Sequence, residues 1–168
     1  MQLRTIDKSL YQKRFKRVAI GLAVSLAVLG LLFSTVLIAL FGGETGSNTA
    51  LNATGVLMGL AVLVAILQQL KLHPYFTEVA YVWYLKQELN LISRRLKNIK
   101  EAAQQGNPQA MIILDFSYQG SKQLWQLDDN TLVMEELALW QAELDALQQC
   151  FNTHVSHQDY QRDFLKDF

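Results

Sequence analysis

The chain has 168 residues, 51% of them of apolar type, and fifteen basic residues balance fifteen acidic ones. A neutral total argues against a nucleic-acid partner, whose recognition calls for a basic face. The single cysteine, Cys150, excludes an internal disulfide framework and suits a reducing compartment.

Residues 1–17 form a basic segment in which Arg4, Lys8, Lys13, Arg14, Lys16 and Arg17 stand against one acid, Asp7. Val18 to Phe41 then runs without a charge. That is longer than the roughly 20 helical residues that cross a hydrocarbon core, and too long for the apolar part of a signal peptide. A second apolar stretch covers about 50–70, with Asn52, Thr54, Gln68 and Gln69 near its ends. Its composition alone also fits a buried helix of a soluble domain, but the short turn from Gly42 to Asn52 favours re-entry after the first span. Residues 18–70 are therefore expected to form a transmembrane hairpin with a short outer loop. Gly30 with Ser34, and Gly55 with Gly59, are small-xxx-small pairs that fall at similar depth in an antiparallel hairpin. They are expected to pack span on span within one chain, a contact between two chains being the alternative.

Charge orients the hairpin. Basic residues recur after the second span, at Lys71, Lys86, Arg94, Arg95, Lys97 and Lys100, whereas the connecting loop has no base and one acid, Glu44. Lys and Arg collect in the cytoplasmic loops of bacterial-type membranes, so both termini are expected in the cytoplasm of a multi-pass inner-membrane protein. Basic flanks are also drawn to anionic head groups, making membrane lipids the first expected partner.

Residues 71–168 read as all-helical. His73-Pro74 breaks the chain at the exit from the second span, and Thr77-Glu78 resembles a helix start. Val82, Leu85, Leu89, Ile92, Leu96, Ile99 and Ala103 then recur at steps of three and four, the a/d pattern of one long packed helix of coiled-coil type, ended by Gly106-Asn107. Tyr75, Phe76, Tyr81, Trp83 and Tyr84 read as an interfacial aromatic belt rather than a stacking site. Asn107 as cap with Pro108 in the first turn opens a second helix carrying Ile112, Ile113, Phe116, Leu124 and Leu127, with an interruption expected near Gly120-Ser121. Asp128 to Thr131 is a turn and cap cluster. A third helix follows, with Val133, Leu137, Trp140, Leu144, Leu147 and Phe151 on one face and acids on the other. Ser156 to Phe168 is a short amphipathic piece that groups Tyr160, Phe164 and Leu165. The fold class is thus all-α: the hairpin followed by a small cytoplasmic antiparallel helical bundle of about three long helices. Residues 128–168 are strongly acidic, and the acidic third helix is expected to pack on the basic first one.

Little chemistry is written in the chain. Cys150, His154 and His157 would share one face if the third helix continued, but there is no second cysteine and no other histidine nearby, so no metal site is expected. Asp128-Asp129 and Glu135-Glu136 are sequence neighbours that point apart on a helix. Phosphate loops, nucleophile elbows and paired Cys-x-x-Cys are absent, so neither catalysis nor a cofactor is expected.

Ile6-Asp7-Lys8 with Tyr11, the string Leu31 to Thr35, His73-Pro74 followed by Thr77-Glu78-Val79, Leu85 to Asn90, and Leu127 to Leu132 together resemble a family of uncharacterised gammaproteobacterial two-span inner-membrane proteins. The resemblance covers nearly the whole chain. It implies an inner-membrane location and carries no activity or site residues with it. The expected role is a membrane-anchored helical interaction or assembly protein, a scaffold whose helix faces (Leu85, Leu89, Ile92, Leu96 and Ile99; Leu137, Trp140, Leu144 and Leu147) bind each other or another chain. A core this small implies burial against a second copy or another membrane protein. The alternative is an oligomeric pore or transporter accessory subunit, disfavoured because neither span holds an ionisable residue.

Overall fold

The computed structural model of the chain describes residues 1–42, 48–71, 73–130 and 134–168. The regular structure among them is helical throughout: α1 (Lys8–Phe41), α2 (Thr49–Leu70), α3 (Thr77–Ser93), α4 (Leu96–Gln104), α5 (Pro108–Leu127) and α6 (Met134–Cys150), with 3-10 segments at Pro74–Phe76, His157–Asp159 and Arg162–Asp167. The loop acid Glu44, the cap residue Thr131 and the helix-face residue Val133 lie outside the described residues. Two compact units divide the chain. One is Ser9–Ala80; the other combines Met1–Lys8 with Tyr81–Phe168.

In the first unit, α1 and α2 are long and apolar enough to cross a membrane. α1 begins well before its uncharged stretch, because Lys and Arg are good helix formers and Lys13 to Arg17 continue the same helix. The usual distribution of side chains is inverted. Ile20, Val24, Val28, Leu31 and Leu32 of α1 and Val56, Leu57, Leu60 and Val64 of α2 are exposed, while the buried residues are Gly30, Ser34, Gly55 and Gly59 together with Tyr11 and Leu63. After α2, His73 and Pro74 make the expected break as a 3-10 turn. His73 Nδ1 accepts from the Tyr75 amide at 3.2 Å, and the Thr77 hydroxyl donates to the Pro74 carbonyl at 2.9 Å as α3 starts.

In the second unit α5 lies at the centre. Ala110, Met111, Ile113, Leu114, Phe116 and Tyr118 bury nearly its whole circumference, which a helix does only when neighbours cover it on several sides. α4, α6 and both C-terminal 3-10 turns pack on it. Its start follows the expected chemistry. The Asn107 side chain accepts from the Gln109 and Ala110 amides at 2.9 and 3.2 Å, and Gly106 turns the chain with φ of 86°. No interruption occurs at Gly120; its missing side chain instead admits Leu85 and Leu89 of α3, whose methyls would lie 3.2 and 3.3 Å from an added Cβ.

Two other expectations are corrected. The single long helix over 82–103 is two helices, broken between Ser93 and Leu96, where Arg95 leaves helical geometry (φ −115°, ψ 6°). The acidic α6 packs on α5 rather than along the basic helix, and meets α4 where the Lys100 ammonium sits 5.4 Å from the Trp140 ring centre. The short amphipathic piece expected over residues 156–168 takes the form of two 3-10 segments and buries Tyr160 and Leu165.

Candidate functional site

Two arrangements stand out, one in each unit. In the first, α1 and α2 meet along small residues. A Cβ on Gly55 would fall 2.5 Å from both the Ser34 amide nitrogen and its hydroxyl, and one on Gly59 would fall 2.9 Å from the Gly30 nitrogen. The backbones therefore touch, a distance only glycine permits. Ser34 is buried and donates its hydroxyl to the Asn52 carbonyl at 3.1 Å, which satisfies it without water. Gly30, Ser34, Gly55 and Gly59 thus converge on one contact within one chain. Below it, Arg14 binds the 3-10 turn to α1: its guanidinium pairs with Glu78, donates to the Pro74 and Tyr75 carbonyls at 3.4 Å, and lies 5.1 Å from the Tyr75 ring centre.

In the second unit, polar groups fasten both ends of the chain to the central helices. The Arg4 amide donates to the Tyr81 hydroxyl (2.9 Å), that hydroxyl donates to Gln123 (3.0 Å), and the Gln123 amide donates back to the Arg4 carbonyl (2.5 Å). At the other end, Tyr160 stacks on Phe116 at 4.0 Å and donates its hydroxyl to the buried Glu88 carboxylate at 2.7 Å. Burial, reinforced by the adjoining carboxylate, pushes the Tyr160 hydroxyl well above its ordinary pKa. Arg162 stands 3.8 Å from the second Glu88 oxygen. Asp115, also buried, accepts the His157 amide at 2.7 Å, and Arg95 and Asn98 donate to the carbonyls of Leu165 and Phe168.

The helix-face residues are interior positions of this unit. Leu85, Ile92 and Ile99 are fully buried, Leu137 and Leu144 nearly so, and Leu89, Leu96, Trp140 and Leu147 are half-buried. They are occupied by the chain's own α5 and its neighbours. α6 ends at Cys150, so Cys150, His154 and His157 do not continue along one helical face, and His157 turns inward to Asp115.

Glu88 and Asp115 were not singled out from sequence, although each carried a signal. Glu88 sits three residues after Leu85 and four before Ile92, squarely on the apolar stripe, and Asp115 interrupts the run Met111 to Phe116. A charge inside an apolar face needs a partner. The partners, Tyr160 and His157, lie 72 and 42 residues away, too distant for local pattern to reveal.

Residues 1–165 match a family model described as "Protein of unknown function (DUF3087)". No curated protein and no solved structure matches.

Proposed function

The chain belongs to this family of unknown function, and from its own residues we propose that it is a membrane-anchored helical interaction or assembly protein of the bacterial inner membrane. The observation that carries the reading is the helix pair with glycine and serine inside and valine, leucine and isoleucine outside, which is stable where the surroundings are hydrocarbon and costly in water. The Lys and Arg distribution directs both ends of the hairpin to the cytoplasm. The hydrogen bond between Arg4, which precedes both apolar helices, and Tyr81, which follows them, supports this reading, because a chain that crosses twice returns to the side it left. The second unit would then be the cytoplasmic helical bundle.

Because the periodic faces are filled by the chain's own helices, a partner would be met by what remains exposed, including Trp83, Tyr84 and Leu139. A reporter active only outside the membrane should be silent when fused after Phe168 and active when inserted at Ser47. The opposite pattern would overturn the topology. Mass determination after mild-detergent purification would then distinguish a homo-oligomer from a complex with another membrane protein.

A further inference from the structure

The α1–α2 pair is closed at one end and open at the other. Past the Gly30–Gly59 contact the helices leave a cleft of about 300 Å³, walled by Val18, Gly21, Leu22 and Ser25 on one side and Leu63, Ile66, Leu67 and Leu70 on the other. Gly21 makes the space: unlike Gly55 and Gly59, an added Cβ there would meet nothing within 4 Å. Tyr75 and Phe76 line the end of the cleft, together with Arg17.

Two facts identify what fits. The walls are apolar and belong to the stretches long and apolar enough to cross a membrane, while Arg17 immediately precedes the uncharged run, at the level where a side chain reaches head groups. Arg14, one turn earlier, is engaged by Glu78, but among the described residues Arg17 has no carboxylate partner. We propose that the cleft is a binding site for one anionic phospholipid, with an acyl chain lying over Gly21 between α1 and α2 and the phosphate held by the Arg17 guanidinium. A planar guanidinium suits a phosphate because it can donate two parallel hydrogen bonds. The site rests on the membrane reading above and adds to it a defined stoichiometry and head-group charge.

The test uses the full-length chain purified in a zwitterionic detergent, with phosphatidylglycerol and phosphatidylcholine as competing probes and bound lipid counted by native mass spectrometry. The wild-type protein should retain one phosphatidylglycerol in preference to phosphatidylcholine. Arg17→Gln should lower that preference roughly fivefold, the factor that about 1 kcal/mol per basic residue at an anionic surface gives. Arg17→Lys should lose less than Arg17→Gln, because it keeps the charge but not the two parallel hydrogen bonds. Gly21→Leu, whose Cβ would meet nothing within 4 Å, should occupy the open space and abolish retention while leaving helicity unchanged. Lys13→Gln, a charge change outside the cleft, should have no such effect. Equal retention of the two lipids by the wild type, retention by Gly21→Leu, or a loss with Lys13→Gln as large as with Arg17→Gln would each overturn the site. Alkaline carbonate extraction of membranes separates the two levels: release of the wild-type chain defeats the membrane reading itself, whereas a carbonate-resistant chain without lipid preference defeats only the cleft.

Discussion

Single residues carry much of the specificity of the helical unit. Glu88 is buried and its closest partner is the Tyr160 hydroxyl. Tyr160→Phe should therefore destabilise the protein by about 1–3 kcal/mol, the cost of a buried group left unsatisfied. Combining it with Glu88→Gln should recover part of the loss, and thermal melts of the full-length single and double variants check both statements. Gly106 is held at φ of 86° with the Phe151 ring packed over it, so Gly106→Ala should cost at least the roughly 1–2 kcal/mol of left-handed backbone strain. The tyrosines also set an alkaline limit. Burial, reinforced by Glu143, pushes the Tyr118 hydroxyl from 10.0 to about 12, and Tyr81 and Tyr160 are displaced in the same direction. A group that keeps its proton longer when folded loses stability as pH rises past its unfolded value. Unfolding free energy should therefore be unaffected by these groups below pH 10 and decline above it. Tyr118→Phe should make that decline shallower between pH 10 and about 12, as read from denaturant melts across that window.

Elements differ in how well the sequence announces them. The two apolar helices, the break at His73-Pro74 and the start of α5 at Asn107-Pro108 are legible because each rests on local chemistry: uninterrupted apolar composition, a ring that cannot continue a helix, and a side chain that caps the next turn. The break after Ser93 is not, since Ser93-Arg94-Arg95 contains neither glycine nor proline and the a/d series passes straight through it. Tertiary contact decides that point: Arg95 turns to the Leu165 carbonyl, and each half keeps its apolar residues buried. The neighbour chosen by α6 was equally hidden, because charge balance suggested the basic helix while α5 offered the larger apolar surface. For α1 and α2 the structure sharpens the expected pairing into a measurable one. Gly55 leaves no room for a side chain, but a Cβ on Gly30 would lie 4.0 Å from that of Val56, within the range a disulfide spans. Gly30→Cys with Val56→Cys, in a Cys150→Ser background, should oxidise to a bond within one chain that runs at monomer mass on a non-reducing gel. Dimers alone would place the contact between molecules.

At the scale of the whole molecule, the unit built on α5 draws on chain segments from both sides of the apolar helices. Removing residues 157–168 should lower its stability by roughly 3–6 kcal/mol, since Tyr160 and Leu165 each bury a side chain worth about 1.5–3 kcal/mol. Faster proteolysis within 81–156 would report that loss, and unchanged resistance would show that the tail is dispensable. The closed ring of Arg4, Tyr81 and Gln123 has a further consequence, in time rather than in energy. Its hydrogen bonds join residues 77 and 119 positions apart, and every residue of both apolar helices lies in the interval. During synthesis the segment before α1 must therefore wait, unpaired, until both helices have left the ribosome and settled and α5 has emerged behind them. Whatever delays the synthesis of that interval thereby delays completion of the distant helical unit as well, because the ring that fastens the start of the chain closes last.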